Sequence, residues 1–138
     1  MNKVKIERIV KRFYDELDQG RFMARKCKEC GAIEFPPLSV CNSCPGREME
    51  WVEISGRGDL FDFALPGANA KTPEYEALRP FAYGAIKIED GGREMNGLVL
   101  GINKKNEMEI RAKLPVKVQA ATFDREGYKQ IVFKIVEE

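Results

Sequence analysis

Four cysteines stand in two pairs, Cys27-Lys28-Glu29-Cys30 and Cys41-Asn42-Ser43-Cys44, with ten residues between the pairs. Two residues between ligands let a tight turn aim both sulfurs at one point, with backbone N–H groups turned toward the thiolates. Two such turns complete a tetrahedral thiolate site with no open position, which is the pattern of structural zinc. A rubredoxin-type iron centre uses the same four thiolates, so the spacing leaves iron open beside zinc. Two disulfides fit poorly in a chain read as intracellular. A redox CxxC needs a thioredoxin-like βαβ unit, and none is legible. Gly31 follows the first pair, while Pro45-Gly46 follows the second and makes that turn the less regular one.

Little else in the chain suggests chemistry. Histidine is absent from all 138 residues, which removes the usual general base near neutral pH and the Ser-His-Asp and Cys-His arrangements with it. Asp59, Asp62, Glu89 and Asp90 could serve as acid or base groups, but nothing in the sequence pairs them. The chain reads as non-catalytic. Net charge is +1, from 23 basic and 22 acidic residues. A general nucleic-acid binder shows a basic excess, because phosphate neutralisation supplies its affinity, so this balance disfavours that class.

The elements that must position the cysteines are short. Residues 21–26 predict a strand leading into the first pair, Ala32-Ile33-Glu34-Phe35 a second strand closed by Pro36-Pro37, and Trp51-Val52-Glu53-Ile54 a third. Such pieces are too small to make a core, so metal is expected to hold them. Before them, Ile6, Ile9, Val10, Phe13, Tyr14 and Leu17 form one helical stripe that stops at Gly20. Its basic residues come early and its acidic ones late, against the helix dipole. That reads as a solvated face, with a partner-docking surface as the sharper alternative.

After Ser55-Gly56-Arg57-Gly58 the pattern changes to five longer strands. They are expected at Asp59–Leu65, Phe81–Glu89, Glu94–Ile102, Val116–Phe123 and Tyr128–Val136. Phe61, Phe63 and Leu65 are expected to share one face of the first, and Ile131, Phe133 and Ile135 one face of the last. Turns fall at Asp90-Gly91-Gly92, Asn103–Asn106 and 124–127, and Gly97 and Gly101 predict bends or bulges. Five strands with this glycine content suit a small closed barrel of the OB-fold kind. The stretch Pro66–Pro80, with one helical turn at Glu74–Leu78, interrupts it, and a loop of that length is commonly functional. The fold class is therefore mainly β: helix 1–20, zinc ribbon 21–54, barrel 55–138. No apolar run nears a membrane span, and the charged start Met1-Asn2-Lys3-Val4-Lys5 predicts no secretory signal; a cytoplasmic location is expected.

The order of parts, "FYDELDQGRF", "ARKCKECGAIEFPPLSVCNSC" and "EWVEISGRGDLFDF" followed by five strands, resembles a family of small proteins that join a rubredoxin-like zinc ribbon to an OB-fold. Gly20-Arg21, the four cysteines, Phe35-Pro36-Pro37, Trp51 and Ser55-Gly56-Arg57-Gly58 carry the resemblance. Pro45, where a glycine is usual, and Lys113, where a glycine often precedes the fourth strand, depart from it. The resemblance implies an acyl-CoA-associated accessory protein that accompanies thiolase-fold enzymes: acetoacetyl-CoA thiolase with hydroxymethylglutaryl-CoA synthase, at the start of the mevalonate pathway, or thiolase-like aldolases.

A cleft between ribbon and barrel is where such a protein would hold CoA. Arg25, Lys26, Lys28 and Arg57 lie near the junction in sequence as candidate cations. Phe35, Phe63, Tyr75 and Tyr83 are candidate walls. The competing reading is a nucleic-acid module, since OB-folds stack single strands on aromatic side chains in basic grooves. Clustered Lys/Arg with aromatic residues is not evident on the barrel strands.

Overall fold

The computed structural model describes residues 8–35, 37, 41, 43–67, 73–91 and 94–136, with side chains from Lys11 onward. Helix α1 spans Arg8–Asp18. Its described apolar stripe, Phe13, Tyr14 and Leu17, turns inward, with Leu17 and Phe13 buried; Ile6 lies outside the described residues. No acidic side chain in its first turn or basic one in its last offsets the dipole. The helix stops as expected at Gly20, whose φ of 80° is the left-handed conformation glycine adopts freely. The Gly20 N–H reaches the Leu17 carbonyl at 2.9 Å and the Arg21 N–H that of Glu16 at 3.0 Å, the paired bonds of a Schellman stop. Arg21 also returns its guanidinium to the Glu16 carboxylate.

Strands β1 (Phe22–Cys27), β2 (Ile33–Glu34) and β3 (Met49–Ile54) form an antiparallel sheet in the order β2-β1-β3. Strands β4 (Arg57–Ala64), β5 (Phe81–Ile88), β6 (Glu94–Leu100), β7 (Val116–Arg125) and β8 (Tyr128–Ile135) close a barrel in the order β4-β5-β6-β8-β7. The strand calculus of the sequence holds to within two residues at each end. The β4–β7 pairing, Arg57↔Gln119 through Leu60↔Val116, completes the closure. The join between β6 and β8 is parallel and brief, at Val99↔Phe133 and Leu100↔Lys134.

Two expectations about β4 and β6 need correction. Phe61, Phe63 and Leu65 do not share a face. The register shifts between Leu60 and Asp62, so one extra residue turns Phe61 out to 42% exposure while Leu60 and Phe63 both face inward. In β6 the pairing runs unbroken through Gly97, so no bulge forms there; Gly101 follows the strand with φ 87°. Near the end of β8, Phe133 faces the barrel core while Val132 is buried on the outer side with Leu78 and Phe81. Leu78 belongs to the long 66–80 connection, which makes a short helix α2 at Pro73–Glu76 and then drops this one side chain onto the barrel wall.

A third helix, α3 (Glu107–Lys113), joins β6 to β7 and was not expected from the sequence. Asn103 shapes the turn before it: its side-chain carbonyl accepts from the N–H groups of Lys105 and Asn106 at 2.8 and 3.0 Å. Arg111 pins it to β4, donating to the Phe63 carbonyl at 2.9 Å with its guanidinium 4.2 Å from the Phe63 ring centre. Lys113, the second departure from the family pattern, is the last residue of this helix.

One apolar core runs through helix, ribbon and barrel. Phe13 and Leu17 of α1, Met23, Ala24, Phe35 and Ile54 of the ribbon, and Leu60, Ile86, Val99, Val118 and Phe133 of the barrel belong to a single cluster. The ribbon is therefore not held by metal alone, as its short strands had suggested. Its half next to the barrel is packed, and only its outer end, around Cys27, Cys41 and Met49, forms a separate small cluster. No helix among the described residues is long and apolar enough to cross a membrane.

Candidate metal centre and the adjoining cleft

The outer end of the ribbon brings the four cysteine sulfurs within 4.8 Å of one another. Cys27 closes strand β1, and Cys30 follows after a turn in which the Gly31 N–H bonds back to the Cys27 carbonyl at 2.9 Å. Cys27 and Cys44 sulfurs are 3.6 Å apart, and those of Cys30 and Cys41 are 3.5 Å apart. Metal–sulfur bonds near 2.3 Å in a tetrahedron place sulfurs about 3.8 Å from each other, so the cradle fits one ion. Backbone N–H groups of Ser43 and Gly46 point at the Cys41 and Cys44 sulfurs, each at 3.3 Å, as thiolates require. Gly46 answers the irregularity noted at Pro45. A Cβ there would lie 3.0 Å from the Cys27 sulfur and 3.1 Å from that of Cys44, so the glycine this turn needs stands one residue further on. The four thiolates leave no open position, so zinc held there would be structural.

The protons on these sulfurs respond to the same geometry. Before a cation binds, Cys27 is drawn down to about 7, chiefly by the Cys30 backbone N–H. For Cys44 the Gly46 N–H pulls down, but the neighbouring thiols and burial outweigh it and push the group up to about 12. Cys30 is also raised, the other thiols and burial prevailing over the Ala32 N–H. Metal capture must therefore displace protons. Affinity is expected to fall as pH drops, most steeply below about 7, where Cys27 regains its proton too. Competition with a chromophoric chelator across that range reads this directly, and a flat affinity would contradict it.

The carboxylates that might have served as acid or base are engaged elsewhere. Asp59 and Glu89 both hold Lys117, at 2.8 and 2.9 Å. Asp62 meets Arg111 at 3.3 Å, and Asp90 accepts from the Ser55 hydroxyl at 2.6 Å.

A second feature lies beside the ribbon: an apolar cleft of about 460 Å³ between α1, the ribbon and the barrel. Of the candidate contact residues, Phe35, Tyr75 and Tyr83 line it. Arg25, Lys26, Lys28, Arg57 and Phe63 do not. Arg25 lies over Trp51, 4.8 Å from its ring centre, and Arg12 of α1 reaches the same ring at 5.8 Å. Lys26 is half-buried on β1, and Lys28 is exposed in the cysteine turn. Arg57 starts β4, and Phe63 is buried beneath Arg111. Phe13, Tyr14 and Tyr128, which the sequence marked only as stripe or strand residues, complete the aromatic wall. The structure also shows cation–aromatic pairs that the barrel strands had not suggested, Arg79 over Phe81 and Arg125 over Phe123.

A four-thiolate ribbon built onto a closed five-stranded barrel of OB-fold topology defines the class of protein. Within that class, residues 15–50 match the model of the ChsH2 rubredoxin-like zinc ribbon domain. Over 71 residues the chain is 47% identical to the benzoylsuccinyl-CoA thiolase subunit BbsA of Thauera aromatica, covering 49% of this chain and 44% of that protein. It is 29% identical over 69 residues to a DUF35 domain-containing scaffold protein of Methanocaldococcus jannaschii, covering 49% and 48%. The chain thus spans about half the length of the curated relatives it matches. Among solved structures, the Ltp2-ChsH2(DUF35) aldolase superposes over 96% of this chain and 98% of that one, with a TM-score of 0.68 at 17% identity. A DUF35-family protein of Sulfolobus solfataricus superposes over 91% and 83%, with a TM-score of 0.59 at 19% identity. At those identities the likeness is one of fold.

Proposed function

We propose that this chain is a non-catalytic scaffold subunit that bridges or assists thiolase-fold enzymes and binds the acyl-CoA they share. The observation that carries the reading is the 47% identity to a named thiolase subunit. The DUF35 scaffold relative points the same way. Acetoacetyl-CoA thiolase and hydroxymethylglutaryl-CoA synthase, acting in the cytoplasm, are the partners proposed. In this reading helix 1–20, ribbon 21–54 and barrel 55–138 are the three working parts, and the centre holds zinc. Holding two enzymes around one intermediate makes its transfer intramolecular, at local concentrations on the order of millimolar. An unfavourable condensation is then drawn forward by the step beside it.

Affinity purification of the tagged chain from its native extract, with mass spectrometry of the co-eluting proteins, tests this. A thiolase, with or without the synthase, is the expected companion. Recovery of polymerase, ribosomal or single-strand-binding components would replace the reading with the nucleic-acid one. Metal analysis of the same preparation separates zinc from iron.

A further inference from the structure

The apolar cleft has a specific origin in the barrel. Strands β6 and β8 pair only at Val99↔Phe133 and Leu100↔Lys134. Ahead of those pairs, Glu94–Leu98 and Tyr128–Val132 are hydrogen-bonded to β5 and β7 but not to each other. The cleft is the mouth of that split, lined from both strands. Helix α1 closes one side with Phe13 and Tyr14, the latter edge-on to Tyr128 at 6.1 Å. Phe35 of the ribbon stands 6.2 Å from Phe13, and Tyr75 and Tyr83 meet edge-on at 6.4 Å on the barrel side.

The chemistry of this lining is narrow. Among the described lining residues Lys129 alone is charged, and its ammonium is paired with Asp124 at 2.6 Å. Tyr75 and Tyr83 remain 36% and 38% exposed, a cost for large rings in water that an apolar occupant would relieve. A cleft of about 460 Å³ falls in the range that encloses a small molecule. A partner's helix needs a longer groove with anchors spaced over two turns. Rings presented edge-on to one another receive another ring in the offset or T-shaped contacts that aromatic groups prefer.

We infer that the split between β6 and β8 is the seat of an uncharged, ring-bearing apolar acyl group. This rests on the acyl-CoA reading above and narrows it: the chain selects among thioesters by their acyl part, not by the CoA they have in common. Asn96 is exposed on β6 at the rim, so Asn96→Trp fills the cleft without entering the core. Tyr83→Ala removes an exposed wall ring.

Isothermal titration of the metal-loaded full chain with CoA, hexanoyl-CoA and benzoyl-CoA tests the inference, with circular dichroism to confirm that both variants fold. Benzoyl-CoA is expected to bind at least about tenfold tighter than CoA, the return on burying one ring. It should also bind tighter than hexanoyl-CoA, and both variants should bring it back to the affinity of CoA. Equal binding of CoA and benzoyl-CoA would leave the acyl-CoA reading standing and overturn this inference. So would a benzoyl preference that neither variant alters, or a hexanoyl-CoA affinity equal to that of benzoyl-CoA. Binding of none of the three at millimolar concentration would overturn both.

Discussion

Replacing Cys41 by serine is expected to strip the metal and open the outer end of the ribbon while the barrel stays folded. The ribbon's apolar side chains fall into two separate clusters. Cys27, Cys41 and Met49 make only a small apolar group of their own, whereas Met23, Ala24, Phe35 and Ile54 belong to the core shared with α1 and the barrel. At the outer end the binding energy of the ion is the folding energy, and structural zinc contributes on the order of 10 kcal/mol or more in small sites. A serine hydroxyl is a far poorer ligand than a thiolate, and the three remaining sulfurs cannot close a tetrahedron. Metal content should fall from one ion per chain to nearly none. Hydrogen exchange should rise in the cysteine turns, at the Lys28 N–H bonded to the Glu48 carbonyl and the Cys27 N–H bonded to that of Ala32. Amides of β4 to β8 should keep their protection. Unchanged metal in the variant would refute the four-thiolate assignment. Loss of barrel protection as well would show that the shared core depends on the ion, contrary to the packing.

What could be read in advance follows the range of the interactions involved. The cysteine pairs are local, with two residues between partners, and their spacing alone marks a four-thiolate metal site. The barrel strands were legible because alternation and turn residues are local too. Phe61 was misassigned because a bulge adds one residue to a strand, and the alternation on either side carries no mark of where. Helix α3 was missed because seven residues with Ile110 and an exposed Met108 as its larger apolar side chains give no stripe to detect. A signal was present in its charges, since Glu107–Arg111 and Glu109–Lys113 are four apart and salt-bridged at 3.1 and 3.2 Å, acidic residues leading. The cleft was legible only in part, through Phe35, Tyr75 and Tyr83. Its walls come from α1, β2's end, α2, β5, β6 and β8, and only the incomplete β6–β8 pairing brings them together. Arg25, Lys26, Lys28 and Arg57 looked like its cations because they are close in sequence to the junction, which is not the same as facing it.

The pair Gly56 and Gly58 is the junction itself, and alanine at either position is expected to cost about 2–4 kcal/mol, for two different reasons. Gly56 has φ 79°, and a Cβ on it would come within 2.8 Å of the Ala120 side chain and 3.1 Å of the Phe22 ring. It is thus wedged between ribbon and barrel, where its carbonyl also accepts from the Ala120 N–H at 2.9 Å. The chain before it is fixed as well: Ser55 donates to Asp90, and the Gln119 side chain donates to the Ser55 carbonyl at 2.9 Å. Gly58 lies opposite both Ile88 of β5 and Val118 of β7, so it sits where the barrel closes. A Cβ there would stand 2.7 Å from the Lys87 carbonyl oxygen. That neighbour is backbone held in a ladder, unable to swing aside, so β4 and β5 would have to part. Gly67→Ala supplies the control, since among the described residues nothing lies within 4 Å of a Cβ at Gly67. Its change should stay within about 0.5 kcal/mol. Urea unfolding of the three variants decides the matter. Midpoints lowered for Gly56→Ala and Gly58→Ala but not for Gly67→Ala would show that Gly56 sets how closely ribbon and barrel approach, and Gly58 how closely β4 and β5 do. Equal midpoints would mean that the junction yields at little cost. The cleft would then lack a rigid frame, because α1 and Phe35 are held against the barrel through this same joint.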